Sequence, residues 1–237
     1  QRHLTIPCEM CIRDRYIMNN ITKLAFTLAE VLITLSIIAI IAAMTIPALI
    51  KRVDEQQYNI AVKKAFSDLS QAIFMIKANN GGVVNVGMGD SNTFRSDFCN
   101  VMTCTKQDIA TNIFGPTSDY LYYKGGASGW PAINANDPSA ILNDGEYIKF
   151  LSYANCSGGG KNACGAIALD INGAKGPNMR GEDLFNFWVV LNNGVYSVIP
   201  AGTPGDTWAS TCVAGSTSQG TSNGCTYVRL SDPDHMP

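Results

Sequence analysis

From Leu24 to Ile50 the chain carries a single ionisable side chain, Glu30, in an otherwise apolar run. A helix needs about 20 apolar residues to cross the hydrocarbon core of a bilayer, and this run is longer. Unpaired backbone groups cost several kcal/mol each in hydrocarbon, so a spanning segment must be helical. A secretory signal peptide has a shorter apolar core, about 7–15 residues, and ends at a small-residue cleavage site. Here the helical pattern runs on past the apolar stretch. The segment reads as a membrane anchor.

Beyond Ile50 the pattern turns amphipathic. Val62, Phe66, Leu69, Ile73 and Ile76 recur at spacings of four and three, while Lys63, Lys64, Asp68 and Lys77 fall mostly on other faces. Such a stripe packs a globular domain against the helix, and Asn79-Asn80-Gly81-Gly82 supplies a stop. One helix of about 54 residues would reach roughly 80 Å. After Gly82, short β-prone runs alternate with turn residues. Glu146–Tyr153, Ala166–Asp170 and Phe185–Leu191 read as strands, and Asn193-Gly194 is a hairpin signal leading into Tyr196–Ile199. The expected fold class is therefore α+β, with a long N-terminal helix packed on an antiparallel sheet of three or four strands. Residues 83–140 have few periodic signals and are expected to form loops and short helices.

Eight cysteines divide unevenly around the anchor. Cys8 and Cys11 precede it; Cys99, Cys104, Cys156, Cys164, Cys212 and Cys225 follow it in a Gly/Ser/Asn-rich region. An even set on one side of a membrane segment reads as a disulfide framework in an oxidising compartment. Zinc is the competing reading, but the spacings repeat no ligand knuckle and no histidine lies among them. Long sequence separates each close pair from the next, which favours Cys99–Cys104, Cys156–Cys164 and Cys212–Cys225, the last closing a C-terminal loop.

The chain opens on Gln1. Cys11–Arg15 resembles translated sequencing-adapter read-through, so residues 1–17 read as non-native and Met18 as the expected start. This leaves a short leader with one positive charge at Lys23. The Cys8-x-x-Cys11 pair has no further ligands to make a metal or redox motif.

Ala25-Phe26-Thr27-Leu28-Ala29-Glu30, preceded by Lys23 and followed by Val31–Leu35, resembles the prepilin peptidase motif of type IV pilins and type II secretion pseudopilins. The resemblance is specific over roughly residues 23–50. It implies cleavage between Ala25 and Phe26, methylation of the new Phe26 amine, and assembly through the helix. Family leaders usually end in Gly, and Ala25 departs from that pattern. On this reading Glu30 pairs with the Phe26 amine of a neighbouring subunit, an attraction that low dielectric strengthens. Pro47 matches a proline position of the family. It removes one helix hydrogen bond, so a kink or local melting is expected, as it also would be for a simple kink at the membrane exit beside Lys51 and Arg52.

The implied organisation is a leader (1–25), a membrane and polymerisation segment (26–50), an amphipathic spine (51–80) and a disulfide-bearing head (81–237). The implied partners are prepilin peptidase, other pilin or pseudopilin subunits, an inner-membrane assembly platform and lipid. The implied location is the inner membrane with a periplasmic head, then a pilus or pseudopilus. The alternative is a membrane-anchored monomeric binding or adhesion protein with a pilin-like N-terminus.

Within the head, Leu169–Phe185 resembles a strand–loop–strand signature recurring in pseudopilin-like proteins. Asp170, Asn172, Asn178 and Asp183 supply hard oxygens, and glycines permit tight turns. The preferred reading is an Asx-rich turn capping its own amides. The alternative is a Ca²⁺ site, since Ca²⁺ takes 6–8 oxygen ligands in flexible geometry, although the spacing is not that of an EF-hand. No cofactor is required on either reading. An enzyme is not expected: the histidines are His3 and His235, at the two ends, and bonded cysteines leave no thiol nucleophile. Trp130 and Trp208 read as packing residues rather than ligand contacts. A net charge of −2 gives no basic excess for nucleic acid.

Overall fold

The structure, a computed structural model, describes residues 26–108, 137–158, 162–206, 211–215, 222–233 and 236. The chain divides into two compact units, residues 1–51 and 52–237. Trp130, Trp208, both histidines, Cys8, Cys11 and Ala25 lie outside the described residues.

Helix α1 spans Leu28–Asn79, 52 residues, and is helical straight through Pro47. Proline has no N–H to offer the Ala43 carbonyl, yet the element does not melt there. In the first unit, the hydroxyls of Thr34, Ser36 and Thr45 donate back to the carbonyls of Val31, Leu32 and Ile41. The polar side chains of this stretch thus spend their hydrogen bonds inside the helix. What remains outward is apolar: Leu32, Ile33, Ile38, Ile41 and Leu49 are all exposed. By length and composition this helix can cross a membrane.

In the second unit the helix changes character. Val62, Ala65, Leu69, Ala72, Ile73 and Ile76 are buried, one stripe facing one sheet. Phe66 stacks on Phe187 with ring centroids 6.0 Å apart. The sheet is a six-stranded antiparallel meander in chain order: β1 (Cys104–Asp108), β2 (Ser139–Leu142), β3 (Tyr147–Ser152), β4 (Ala163–Asp170), β5 (Leu184–Asn192) and β6 (Val195–Pro200). Asn193 and Gly194 both have positive φ and join Asn192 to Val195, the geometry that an Asn-Gly hairpin turn requires.

The sheet is wider than the three or four strands expected. Strand β1 comes from the region read as loops and short helices, and β2 begins at that region's end. Strand β1 is polar and at the sheet edge, so backbone pairing to β2 holds it and no apolar alternation announces it. Strand β2 has only four residues, too few to establish a period. Short helices do occur in the same region: a 3₁₀ turn at Asn85–Met88 and helix α2 at Ser91–Val101. Asp90 caps α2, its side chain accepting from Asn92 N–H at 2.9 Å. Phe94 and Phe98 of α2 close on Phe150 of β3 at 5.3 and 5.1 Å, all three fully buried. Burial of each contributes roughly 2 kcal/mol.

Strands β4 and β5 are covered on both faces. One face carries Ile167, Leu169, Phe185 and Phe187 toward α1; the other carries Ala166, Trp188 and Val190 in a second cluster. Helix α3 (Cys225–Ser231) and the residues before it pack along β5. Thr226 Oγ1 accepts from Asn186 N–H at 3.0 Å, and Asn223 Oδ1 accepts from Asn186 Nδ2 at 3.0 Å. Gly202, at φ +95°, lies so close to Gly224 that an added Cβ would meet its Cα at 2.5 Å. Disulfides join Cys99 to Cys104, Cys156 to Cys164 and Cys212 to Cys225, each across a short loop.

Candidate functional site

Two places concentrate the polar chemistry of the described residues. One is the first turn of α1. Thr27 precedes the helix and Glu30 is its third residue, so Thr-x-x-Glu is placed as a capping box. Glu30 Oε2 accepts from both Thr27 N–H and Thr27 Oγ1 at 2.9 Å, and Thr27 Oγ1 accepts from Glu30 N–H at 3.2 Å. The carboxylate therefore has a partner within its own chain, one the sequence reading overlooked although the Thr-x-x-Glu spacing announced it. Both bonds fall on one oxygen. Phe26 is exposed immediately before this cap.

The other place is the β4–β5 connection, residues 171–183, between two strands buried on both faces. Asp170 ends β4 and Asp183 precedes β5; both are fully buried. Asp183 organises the loop. Its Oδ1 accepts from Met179 N–H at 2.6 Å, and its Oδ2 accepts from Asn178 N–H at 2.7 Å and from Asn172 Nδ2 at 3.2 Å. Asp170 Oδ1 accepts from Asn172 N–H at 3.2 Å, an Asx turn. The four residues singled out from sequence are thus one hydrogen-bonded cluster.

The capping accounts for only part of their oxygen. Asp170 Oδ2, Asn172 Oδ1 and Asn178 Oδ1 are buried and accept no hydrogen bond among the described residues. Burial first, then the charge of Asp183, pushes the Asp170 carboxyl up to about 8. Burial pushes Asp183 up to about 6, against the hydrogen bonds from Met179, Asn178 and Asn172 that favour its charge. Tyr58, on α1 within the second unit, lies beside the Asn172 side chain; burial and then the Asp183 charge raise its phenol. Arg229 of α3 supports the loop from behind, its Nε donating to Gly181 O at 2.9 Å and its Nη1 to Asn59 Oδ1 at 3.1 Å. No sequence signal marked Tyr58 or Arg229, because only the tertiary fold brings them here. Among the described residues, no group of three or more His, Cys, Asp or Glu side chains forms a metal cluster. The loop offers two carboxylates and two amides instead.

A cleft of about 340 Å³ lies between α1, α2 and the β2–β3 turn, with Lys64, Asp68, Asp144 and Glu146 around an apolar floor. Lys64 Nζ pairs with Asp144 at 2.7 Å and with Asp68 at 3.2 Å. Glu146 is 7% exposed, and burial followed by the Asp144 charge pushes its carboxyl up to about 7.

Comparison with known protein-family models, curated proteins and solved structures gives no match.

Proposed function

We propose that this chain is the structural subunit of a type IV pilus-like filament or secretion pseudopilus, matured at Ala25–Phe26 and assembled through the first half of α1. The carrying observation is the division of labour along one helix. From Phe26 to Ile50 the helix side chains are largely apolar and exposed with Glu30 as the lone ionisable group, and from Val62 onward one stripe of the helix is buried against a sheet. A soluble monomer has no use for the exposed stretch, whereas a bilayer or a bundle of identical helices covers it. The partners are then prepilin peptidase, further pilin-type subunits and an inner-membrane platform, with the head on the oxidising side where disulfides persist.

The capping box favours a second reading, because it satisfies Glu30 within one chain. A membrane-anchored monomer explains it equally well. Substitution separates the two. Gln serves a capping box as Glu does but carries no charge. On the filament reading, Glu30→Gln inserts, is cleaved and fails to polymerise when co-expressed with an assembly system. Normal fibres from this variant would remove the charge-pairing role. Intact-mass and N-terminal peptide analysis, with and without a prepilin peptidase, tests the pathway itself. The expected mature chain begins at Phe26 and is one methyl group heavier; a chain retaining Lys23-Leu24-Ala25 in both cultures defeats the proposal.

A further inference from the structure

The β2–β3 turn is tightly bonded. Gly145 N–H donates to Leu142 O at 3.0 Å, Leu142 N–H to Glu146 O at 2.9 Å, and Asn143 N–H to Thr103 O at 3.1 Å. These bonds fix where the Glu146 side chain leaves the backbone, just before β3. Glu146 lines the cleft between α1, α2 and that turn, and its charged neighbours there are Asp144, Lys64 and Asp68. Although it is almost wholly buried, its carboxyl accepts no hydrogen bond among the described residues. Lys64 Nζ pairs with Asp144 and Asp68 instead. A buried carboxyl without a hydrogen bond is costly, and this one borders an open cleft, so it calls for a ligand. The surroundings decide which kind. Three carboxyls share the cleft with one ammonium, and Asp170 at the end of β4 lies within the field of Glu146 as a fourth acid. Such a field draws in a cation and repels an anion. Among the described residues no three acids are grouped so as to hold a metal ion, and a hydrated ion gains nothing from a floor of Leu69, Phe98, Met102 and Leu142. The same floor suits an aliphatic stem. A volume of about 340 Å³ is that of a small-ligand cavity.

We propose that this cleft binds an organic cation, a primary ammonium on a short aliphatic stem, with its head against Glu146 and its stem along Leu69, Phe98 and Met102. Free small amines and a lysine side chain presented by a partner share that chemistry. The ammonium brings N–H donors to a carboxyl that has none. Lys64 competes for the same field from the rim, but its side chain is 55% exposed and its hydrogen bonds go to the two aspartates. The incoming charge also displaces a proton. Burial first, then Asp144 and against Lys64, pushes the Glu146 carboxyl up to about 7. A cation beside it favours the ionised form, so binding below pH 7 releases a proton and tightens as pH rises. The inference goes beyond the filament reading and does not depend on it: Glu30→Gln leaves the amine affinity unchanged.

The test titrates the full chain, in non-ionic detergent, with n-pentylammonium chloride by calorimetry at pH 5.5 and pH 8. One saturable site is expected, about tenfold tighter at pH 8, with proton release at pH 5.5 read from the buffer dependence of the heat. At pH 8, Glu146→Gln should melt no lower than the wild type yet bind about tenfold more weakly. Lys64→Met, which removes the competing ammonium, should bind more tightly. Nα-acetyl-lysine amide separates the two sources: if it binds as the pentyl compound does, the cleft takes a presented lysine, and if it is excluded, the cleft takes free amines. No heat at millimolar pentylammonium in the wild-type chain would overturn the proposal. So would equal affinity for 1-pentanol or for bare ammonium, equal affinity at the two pH values, or full affinity in Glu146→Gln.

Discussion

At the scale of single residues, the chain keeps several ionisable groups in places where their charge is costly, and Glu146 is the one with the simplest surroundings. Its neighbours are Asp144 and Asp68, which oppose its ionisation, and Lys64, which favours it but is itself paired with both aspartates. Burial is the largest effect, so the folded chain holds the Glu146 proton up to about pH 7, while an unfolded chain releases it near 4.5. The native state therefore binds the extra proton between these values. Stability falls as pH rises through that window and levels off above it, by an amount on the order of 3 kcal/mol. Glu146→Gln should match the wild type in Tm near pH 4.5 and exceed it at pH 8. A difference in Tm that stays constant across the window would show that the carboxyl is hydrated in the native state. Only the cleft in the fold reveals this residue; the sequence reading placed Glu146 at the start of a strand, and nothing in that pattern marks its burial.

At the scale of elements, legibility followed exposure of one face. The α1 stripe was readable because one side of that helix stays polar, and β6 because Asn193-Gly194 announces its turn. Strand β4 was read as shorter than it is. All eight of its residues are buried, on two faces, and Gly165 sits under the Asn85–Met88 turn where a Cβ would collide with Val86 and Leu151 O. Neither condition leaves an alternating pattern. Strand β1 failed for the opposite reason, being held by an edge ladder and the Cys99–Cys104 bond rather than by apolar side chains. In the loop at 171–183, composition showed the oxygens, but only geometry showed which are consumed in capping and which are left over. Helix α3 is short at seven residues, marginal on its own, and depends on its attachments. The Cys212–Cys225 link closes a separation of 13 residues, worth about 3 kcal/mol by loop entropy. Replacing both cysteines with Ala should lower stability by about that amount in thermal or denaturant melts under non-reducing conditions. An unchanged melt would mean that the Asn186, Thr226 and Gly181 contacts alone secure α3.

At the scale of the molecule, the two units ask for different solvents. The first exposes a run of Leu, Ile and Met side chains with no polar face, and the second encloses its own core of Phe, Ile and Val. A chain beginning at Arg52 should be soluble without detergent and unfold cooperatively, while the full chain should partition into detergent micelles. Aggregation of the shortened chain, or a melt without cooperativity, would show that the head needs the preceding residues. A further consequence comes from the sheet, whose spatial order repeats the order of the chain, and from disulfides that each span only 5, 8 or 13 residues. As such a chain is delivered residue by residue, each of these six cysteines meets its own mate before the next pair has been made, and each strand after β1 finds its neighbour already waiting. Correct oxidation then follows from timing, with little need for an isomerase to correct mistakes.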